Sequence, residues 1–362
     1  MPPAPRATIT PLPARPAPKE RPVALEASGV WKVFGPDPAA FRALAAEERT
    51  PEALARRGWV AAVRDTSFSI GRGEVFVLMG LSGSGKSTLI RCLTRLVEPT
   101  AGRITLDGTD LLAAPETTLR ELRRRRMGMV FQHFALLPNR TVLGNVSFPL
   151  EVQGLPRAAA EARARELIAT VGLAGREGRY PSELSGGQQQ RIGIARSLAN
   201  DPDFWFLDEP FSALDPLIRT DLQDELLRLQ ARLAKTVVFV THDLDEAIRI
   251  ADRIAILEGG QIVQIGTPEA LVTRPASDYV RRFVARVPHA KVVRIASLMA
   301  PGAPEVPAGD PVRAEATVAE IAPRLLSGPA AMPVVDDTGA LVGTLDRARA
   351  LRVLAEGMAA AS

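Results

Sequence analysis

Apolar positions along this chain follow two periods that alternate. Uninterrupted apolar runs at 75–79 and 204–207, with 236–240 apolar after Thr236, read as buried strands, since a strand covered on both sides shows no polar alternation. Strand-like patterns also cover 25–33, 59–70, 102–106 and 128–131, and a hairpin over 253–265 turns at Gly259-Gly260. Helical spacing recurs at 88–96, 115–126, 156–171, 189–199 and 215–233, and residues 133–183 read as mostly helical. Between the first two strands, 38–48 has a helical pattern. Thr50-Pro51-Glu52 then starts a second helix, with a capping hydroxyl, proline at the first helical position and an acid in the first turn; Gly58 closes it. Strands alternating with helices predict an α/β core with a largely parallel sheet, whose ligands gather at the carboxyl ends of the strands.

The two ends of the chain depart from this pattern. Residues 1–22, rich in Pro, Ala and Arg, are expected to be disordered. Beyond about Pro288 the composition shifts: Ala300–Pro311 is Pro/Gly/Ala-rich, and 289–312 reads as a linker after a main domain over 23–288. Beyond them, 313–358 holds a helix, strands at 332–335 and 341–345 around a turn at 336–339, and a closing helix: a small α+β unit. A chain of 362 residues has room for both domains.

Composition narrows the class. Hydrophobic content of 46% with 24% charged residues is that of a soluble globular protein, and a net charge of +4 is too small to argue for a nucleic-acid surface. The run Arg123–Arg126 reads as a solvated face. The single cysteine, Cys92, excludes a disulfide framework and fits a reducing compartment. No apolar run approaches the roughly 18 residues of a membrane span, and proline interrupts the N-terminus too often for a signal peptide. The expectation is an intracellular chain, soluble by itself.

The chemistry concentrates at the end of the 75–79 strand. Gly80-Leu81-Ser82-Gly83-Ser84-Gly85-Lys86-Ser87-Thr88 is a glycine-rich loop between a strand and a helix, the context of a phosphate cradle. Gly80, Gly83 and Gly85 let backbone amides turn inward as an anion nest beside Ser82 and Ser84, and the helix start adds its positive dipole end. Lys86 is placed to reach β- and γ-phosphates, Ser87 to ligate Mg²⁺, and Thr88 to bond a phosphate oxygen. Three further strand ends carry polar groups. Asp208 follows the 204–207 run and suits Mg²⁺; Glu209 is placed to orient or deprotonate a water; His242 follows the 236–240 strand and suits a γ-phosphate; Gln132 would complete the metal shell. Ser185-Gly186-Gly187 forms a second nest at a helix start, either a plain N-terminus or a cradle for a nucleotide held by another molecule.

The loop 80–88, Gln132, the run 184–188, Leu207-Asp208-Glu209-Pro210, Ser212-Ala213-Leu214-Asp215 and Thr241-His242-Asp243 resemble, in order and spacing, the six motifs of an ABC-transporter ATP-binding subunit. The resemblance covers roughly residues 25–285. It implies a P-loop NTPase cassette with a mostly parallel core, an antiparallel β subdomain and a helical subdomain at about 133–200 that meets the permease. It further implies that two chains dimerise head to tail, each ATP lying between Lys86 of one and Ser185, Gly186, Gly187 and Gln188 of the other, with Asp215 communicating across the dimer. Trp31 would stack on adenine. The insert 36–58, with the wording around residues 80–83, 211–219 and 242–247, is similar to the glycine betaine/proline (quaternary amine) importer subgroup. That subgroup implies an integral-membrane permease, an extracytoplasmic solute-binding protein, and a place on the cytoplasmic face of the bacterial inner membrane. No nucleic-acid partner is expected; the competing readings are an ABC ATPase of another importer class and a non-transport ABC ATPase acting on nucleic acid or ribosomes, and non-transport proteins of that kind generally add long coiled coils or a second cassette. The 313–358 unit is similar to one cystathionine-β-synthase-type (CBS) motif, where the subgroup carries two.

Overall fold

The computed structural model describes residues 21–132, 134–212, 214–301 and 309–359, so the 1–22 tail lies almost wholly outside the described residues. The chain divides into two compact units, the larger built on residues 18–230 and 234–285, the smaller on residues from 286 onward.

In the larger unit, β1 (Val23–Phe34), β2 (Val60–Gly71), β4 (Ala101–Leu106) and β5 (Thr109–Asp110) form an antiparallel sheet in the order β2-β1-β4-β5. A second sheet takes β3 (Val75–Met79), β6 (Met127–Val130), β7 (Phe204–Asp208), β8 (Thr236–Thr241), β9 (Arg253–Glu258) and β10 (Gln261–Gly266) in the order β10-β9-β3-β8-β7-β6. Every pairing in it is parallel except β9 with β10. All positions of β3, β7 and β8 are buried, which is why those three runs lack polar alternation. Helix α2 (Lys86–Leu93) packs on both sheets, and Leu89, Ile90 and Leu93 share one core with Leu25, Val30, Phe76, Leu78, Phe206 and Val238. A loop at the start of a helix held on two sides has little freedom to drift. Cys92 is buried in the same core, where burial pushes its thiol up to about 12, so it packs as a small apolar group.

The remaining helices of this unit are α1 (Pro51–Arg56), α3 (Glu116–Arg125), α4 (Val142–Val152), α5 (Arg157–Thr170), α6 (Gly186–Ser197), α7 (Pro216–Leu233), α8 (Leu244–Ile250), α9 (Pro268–Thr273) and α10 (Asp278–Val284). The helical pattern at 38–48 resolves into two 3₁₀ turns, Pro38–Ala43 and Ala46–Glu48. Leu44 between them is extended (φ −70°, ψ 138°), because burying Phe41 in a satellite core with Trp31, Val33, Leu54 and Trp59 bends the segment where a straight helix would run on. The Thr50 cap is found as expected, its hydroxyl accepting from Ala53 N at 3.3 Å. Among the described residues no helix is long and apolar enough to cross a membrane.

The smaller unit contains α11 (Ile295–Leu298), β11 (Ala300–Pro301), β12 (Val312–Arg313), α12 (Ala322–Ser327), β13 (Ala331–Val335), β14 (Leu341–Asp346) and α13 (Arg347–Ala359), with sheet order β11-β14-β13-β12. The linker reading of 289–312 needs correction. Val292, Val293 and Ile295 are buried and β11 pairs with β14, so burial of its apolar residues orders the first half of that segment. Residues 302–308 lie outside the described residues.

Candidate active site

The cradle is built by close backbone approach. A Cβ on Gly80 would stand 2.3 Å from Leu257 O, and one on Gly85 would stand 2.1 Å from Ala62 O at φ +96°, so neither position admits a side chain. Gly85 is also the N-cap of α2, and it offers no side-chain acceptor to the first-turn amides. Lys86 is 4% exposed, and its Nζ donates to Gly80 O at 2.9 Å and Leu81 O at 3.0 Å, folded over its own loop. Burial lowers the ammonium's pKa, while Glu209 and then Asp208 pull it back up. Ser84 Oγ is buried without a hydrogen-bond partner, a polar atom of the loop left to itself.

Asp208, fully buried at the end of β7, accepts from the Ser87 hydroxyl at 2.8 Å and from the Arg91 guanidinium at 3.3 Å. Ser87 and Arg91 lie one turn apart on α2, so one helix face supplies both partners. Sequence reading missed Arg91; its i,i+4 spacing from Ser87 was the available signal. The chain turns sharply after Asp208: Glu209 has φ +46°, an uncommon conformation for a non-glycine residue, and its N–H donates to Val240 O at 3.0 Å. That turn swings Glu209 away from Asp208 and toward β8, where its Oε2 stands 3.2 Å from His242 Nδ1. A cavity of about 550 Å³ collects these groups: Ser82, Gly83, Gly85, Lys86, Ser87 and Thr88 line it from the loop, with Gln132, Glu209 and His242 from three other elements and Ala62 from β2. Asp208 lies behind this surface, reached through Ser87.

Several expected site residues lie elsewhere. Ser185 caps α6 and Gln188 reaches back to it, Gln188 Oε1 accepting from Ser185 N at 3.1 Å and Ser185 Oγ from Gln188 N at 3.4 Å, a capping box. Asp215 caps α7, accepting from Ile218 N at 3.1 Å. Neither these nor Gly186 and Gly187 line the cavity. Ala213 lies outside the described residues. Trp31, expected to stack on adenine, is 8% exposed and packs against Phe41, ring centroids 5.0 Å apart, in the satellite core. The exposed aromatic of that edge is Phe34, 45% accessible, paired with Val60 two residues from the cavity-lining Ala62. Its position at the last residue of β1, immediately before Gly35-Pro36, was the signal in the sequence.

A second cleft of about 450 Å³ is lined by Arg120, Arg124, Met127, Phe148, Val152 and Arg196, among others, from α3, β6, α4 and α6. Arg196 donates to Phe134 O at 3.2 Å and Ala135 O at 2.6 Å, holding two successive residues of left-handed conformation just after Gln132. Burial lowers the pKa of this guanidinium.

Comparison with known proteins follows the same geometry. The ABC transporter family pattern matches residues 63–212. The trimethylamine N-oxide transport system ATP-binding protein TmoW of Ruegeria pomeroyi is 52% identical over 330 residues, 91% of this chain and 96% of the relative. The chain belongs to the ABC transporter ATP-binding family. The glycine betaine transport ATP-binding protein OpuAA of Bacillus subtilis is 49% identical to this ABC protein over 281 residues, 77% of this chain and 67% of the relative. The dimeric structure of a post-hydrolysis state of the ATP-binding cassette MJ0796 bound to ADP and Pi matches the ABC cassette with a TM-score of 0.57 and 31% identity, over 67% of this chain and 98% of that one. The cassette is therefore an ATPase that binds ATP, built on the P-loop α/β fold.

Proposed function

We propose that this ABC ATPase powers import of a quaternary amine or related methylated amine through a separate membrane permease, with an extracytoplasmic binding protein selecting the solute and the chain held at the cytoplasmic face of the membrane. The observation that carries the catalytic part is the meeting of Lys86, Gln132, Glu209 and His242, from four separate elements, at one cavity. The orphaned Ser84 hydroxyl and the uncapped start of α2 fit a bound triphosphate. Ser87, Asp208 and Gln132 are oxygen donors of the kind Mg²⁺ takes, and the bound ion would neutralise phosphate charge. Lys86 leaves its loop carbonyls for β- and γ-phosphate oxygens. Glu209 orients the attacking water or takes its proton, and His242 bonds the γ-phosphate while steadying Glu209. Phe34 replaces Trp31 as the base-stacking residue. A second copy, docked head to tail, brings Ser185, Gly186, Gly187 and Gln188 over the phosphates and Asp215 beside them. The permease docks in the cleft bordered by α4, and the Arg196-held loop joins that cleft to Gln132. The smaller unit is a single CBS-like motif that pairs with its copy in the dimer. The solute class rests on the relatives named for trimethylamine N-oxide and glycine betaine.

Glu209→Gln tests the catalytic reading. ATP binding is retained, turnover falls roughly 10²–10⁴-fold, and an ATP-bound dimer accumulates on size-exclusion chromatography; undiminished hydrolysis would refute it. Uptake of labelled trimethylamine N-oxide, glycine betaine, proline, choline and carnitine by cells carrying the chain with its permease tests the cargo, and transport of none of them removes the solute assignment.

A further inference from the structure

Helices α7 and α8 face each other through a row of polar side chains. Arg219 Nη1 donates to Asp243 Oδ2 at 3.2 Å, Gln223 donates to Glu246 at 3.0 Å, Arg249 donates to Gln223 at 3.3 Å, and Arg249 also pairs with Asp224. Gln223 and Glu246 are buried, and residues 219 and 223 lie one turn apart on the same face of α7, so the contacts join two rigid elements along their length.

Arg219 forms the end of this row toward the site. Its second terminal nitrogen donates to Leu214 O at 3.2 Å, in the turn that carries Asp215, and its backbone N–H donates to Asp215 O at 2.9 Å. Asp243, its other partner, directly follows His242 and caps α8 by accepting from Glu246 N at 3.2 Å. One planar guanidinium thus spans from the Asp215 turn to the residue beside His242. Arg219 Nε is buried without a partner, a cost the site carries while both terminal nitrogens are engaged.

We propose that Arg219 is a positioning residue for ATP hydrolysis, fixing the Asp215 turn and the start of α8 as one body so that His242 stands against Glu209. The proposal rests on the roles given above to Asp215 and His242. Arg219 touches none of the reacting atoms; its effect passes through Asp243.

The test uses the full-length protein. Arg219→Gln lowers kcat for ATP about tenfold and leaves equilibrium binding of a fluorescent ATP analogue unchanged, since the cradle is untouched. Asp243→Asn keeps a capping side chain and loses only the charged partner. It reproduces the loss, and the double variant is no slower than either single one. Arg219→Lys, with charge but no fork, falls between Arg219→Gln and the native chain. In protein carrying isotope-labelled histidine, Arg219→Gln shifts or broadens the His242 ring signals, assigned with His242→Ala, and leaves those of His289 in place. Should Arg219→Gln fold poorly, Asp243→Asn carries the same readouts. With His242→Ala inactive, an unchanged kcat, additive losses or unmoved His242 signals overturn the proposal alone. If His242→Ala hydrolyses ATP at the full rate, the reading of the site itself falls, and this proposal with it.

Discussion

Two helix starts in this chain look alike in sequence, each a Ser/Gly cluster opening a helix, and the structure finishes them in opposite ways. Helix α6 satisfies its own first turn through the reciprocal Ser185–Gln188 capping box. Helix α2 begins at Gly85 in the left-handed region with no side-chain cap, next to an unpartnered buried Ser84 hydroxyl and a lysine folded onto carbonyls of its own loop. A helix start that caps itself is stable without a ligand; one held open by close backbone packing keeps its amides for an anion. The contrast separates a cradle complete within one chain from one that, in the proposed dimer, acts only on a partner's nucleotide.

Four substitutions break or sharpen this contrast. Gly85→Ser, which gives α2 the cap that α6 has, forces a Cβ to within 2.1 Å of Ala62 O at a φ that serine rarely adopts. Thermal denaturation should show a loss on the order of 2–4 kcal/mol, together with loss of ATP binding. Lys86→Ala leaves the fold intact and weakens ATP binding on the order of 100-fold, read by equilibrium titration. Ser185→Ala costs the single chain about 1 kcal/mol through its cap, leaves ATP binding by that chain unchanged, and lowers hydrolysis on the order of tenfold. Equal hydrolysis in that variant would make the α6 start merely structural.

The smallest effect concerns a third start. Glu246 stands at the same third position of α8 as Gln188 does in α6, but its buried carboxylate bonds Gln223 and does not reach back to the cap. Burial raises its pKa. A carboxyl raised on folding contributes stability below its unfolded pKa and loses that contribution as pH rises through the folded value. Glu246→Gln should therefore melt a few degrees or less above the native chain at pH 8, with the gain shrinking toward pH 4. A gain independent of pH would assign the effect to packing.

Much of the site was legible because its elements are local. The strand 75–79 and the glycines, lysine and hydroxyls of 80–88 are adjacent in the chain, and Gly80, Gly83 and Gly85 take the positive φ that favours glycine. Asp208, Glu209 and His242 were legible as polar groups ending apolar runs, although what sends Asp208 behind the surface and Glu209 into the cavity is the left-handed turn between them. For Trp31 and Phe34 the sequence offered only the place of Phe34 at the strand end before Gly35-Pro36; the packing of Phe41, Leu54 and Trp59 shows which ring is enclosed. The segment 289–301 misled for the same reason in reverse, its β11 residues pairing with a strand far along the chain.

The order of residues by itself determined most of the elements, the caps and the phosphate cradle, since these depend on side-chain type, spacing and backbone freedom within a few positions. Only the tertiary structure decided which strand ends meet at the cavity and which aromatic ring stays open. Those outcomes depend on contacts between segments far apart in sequence, where burial and steric fit at close packing override local preference.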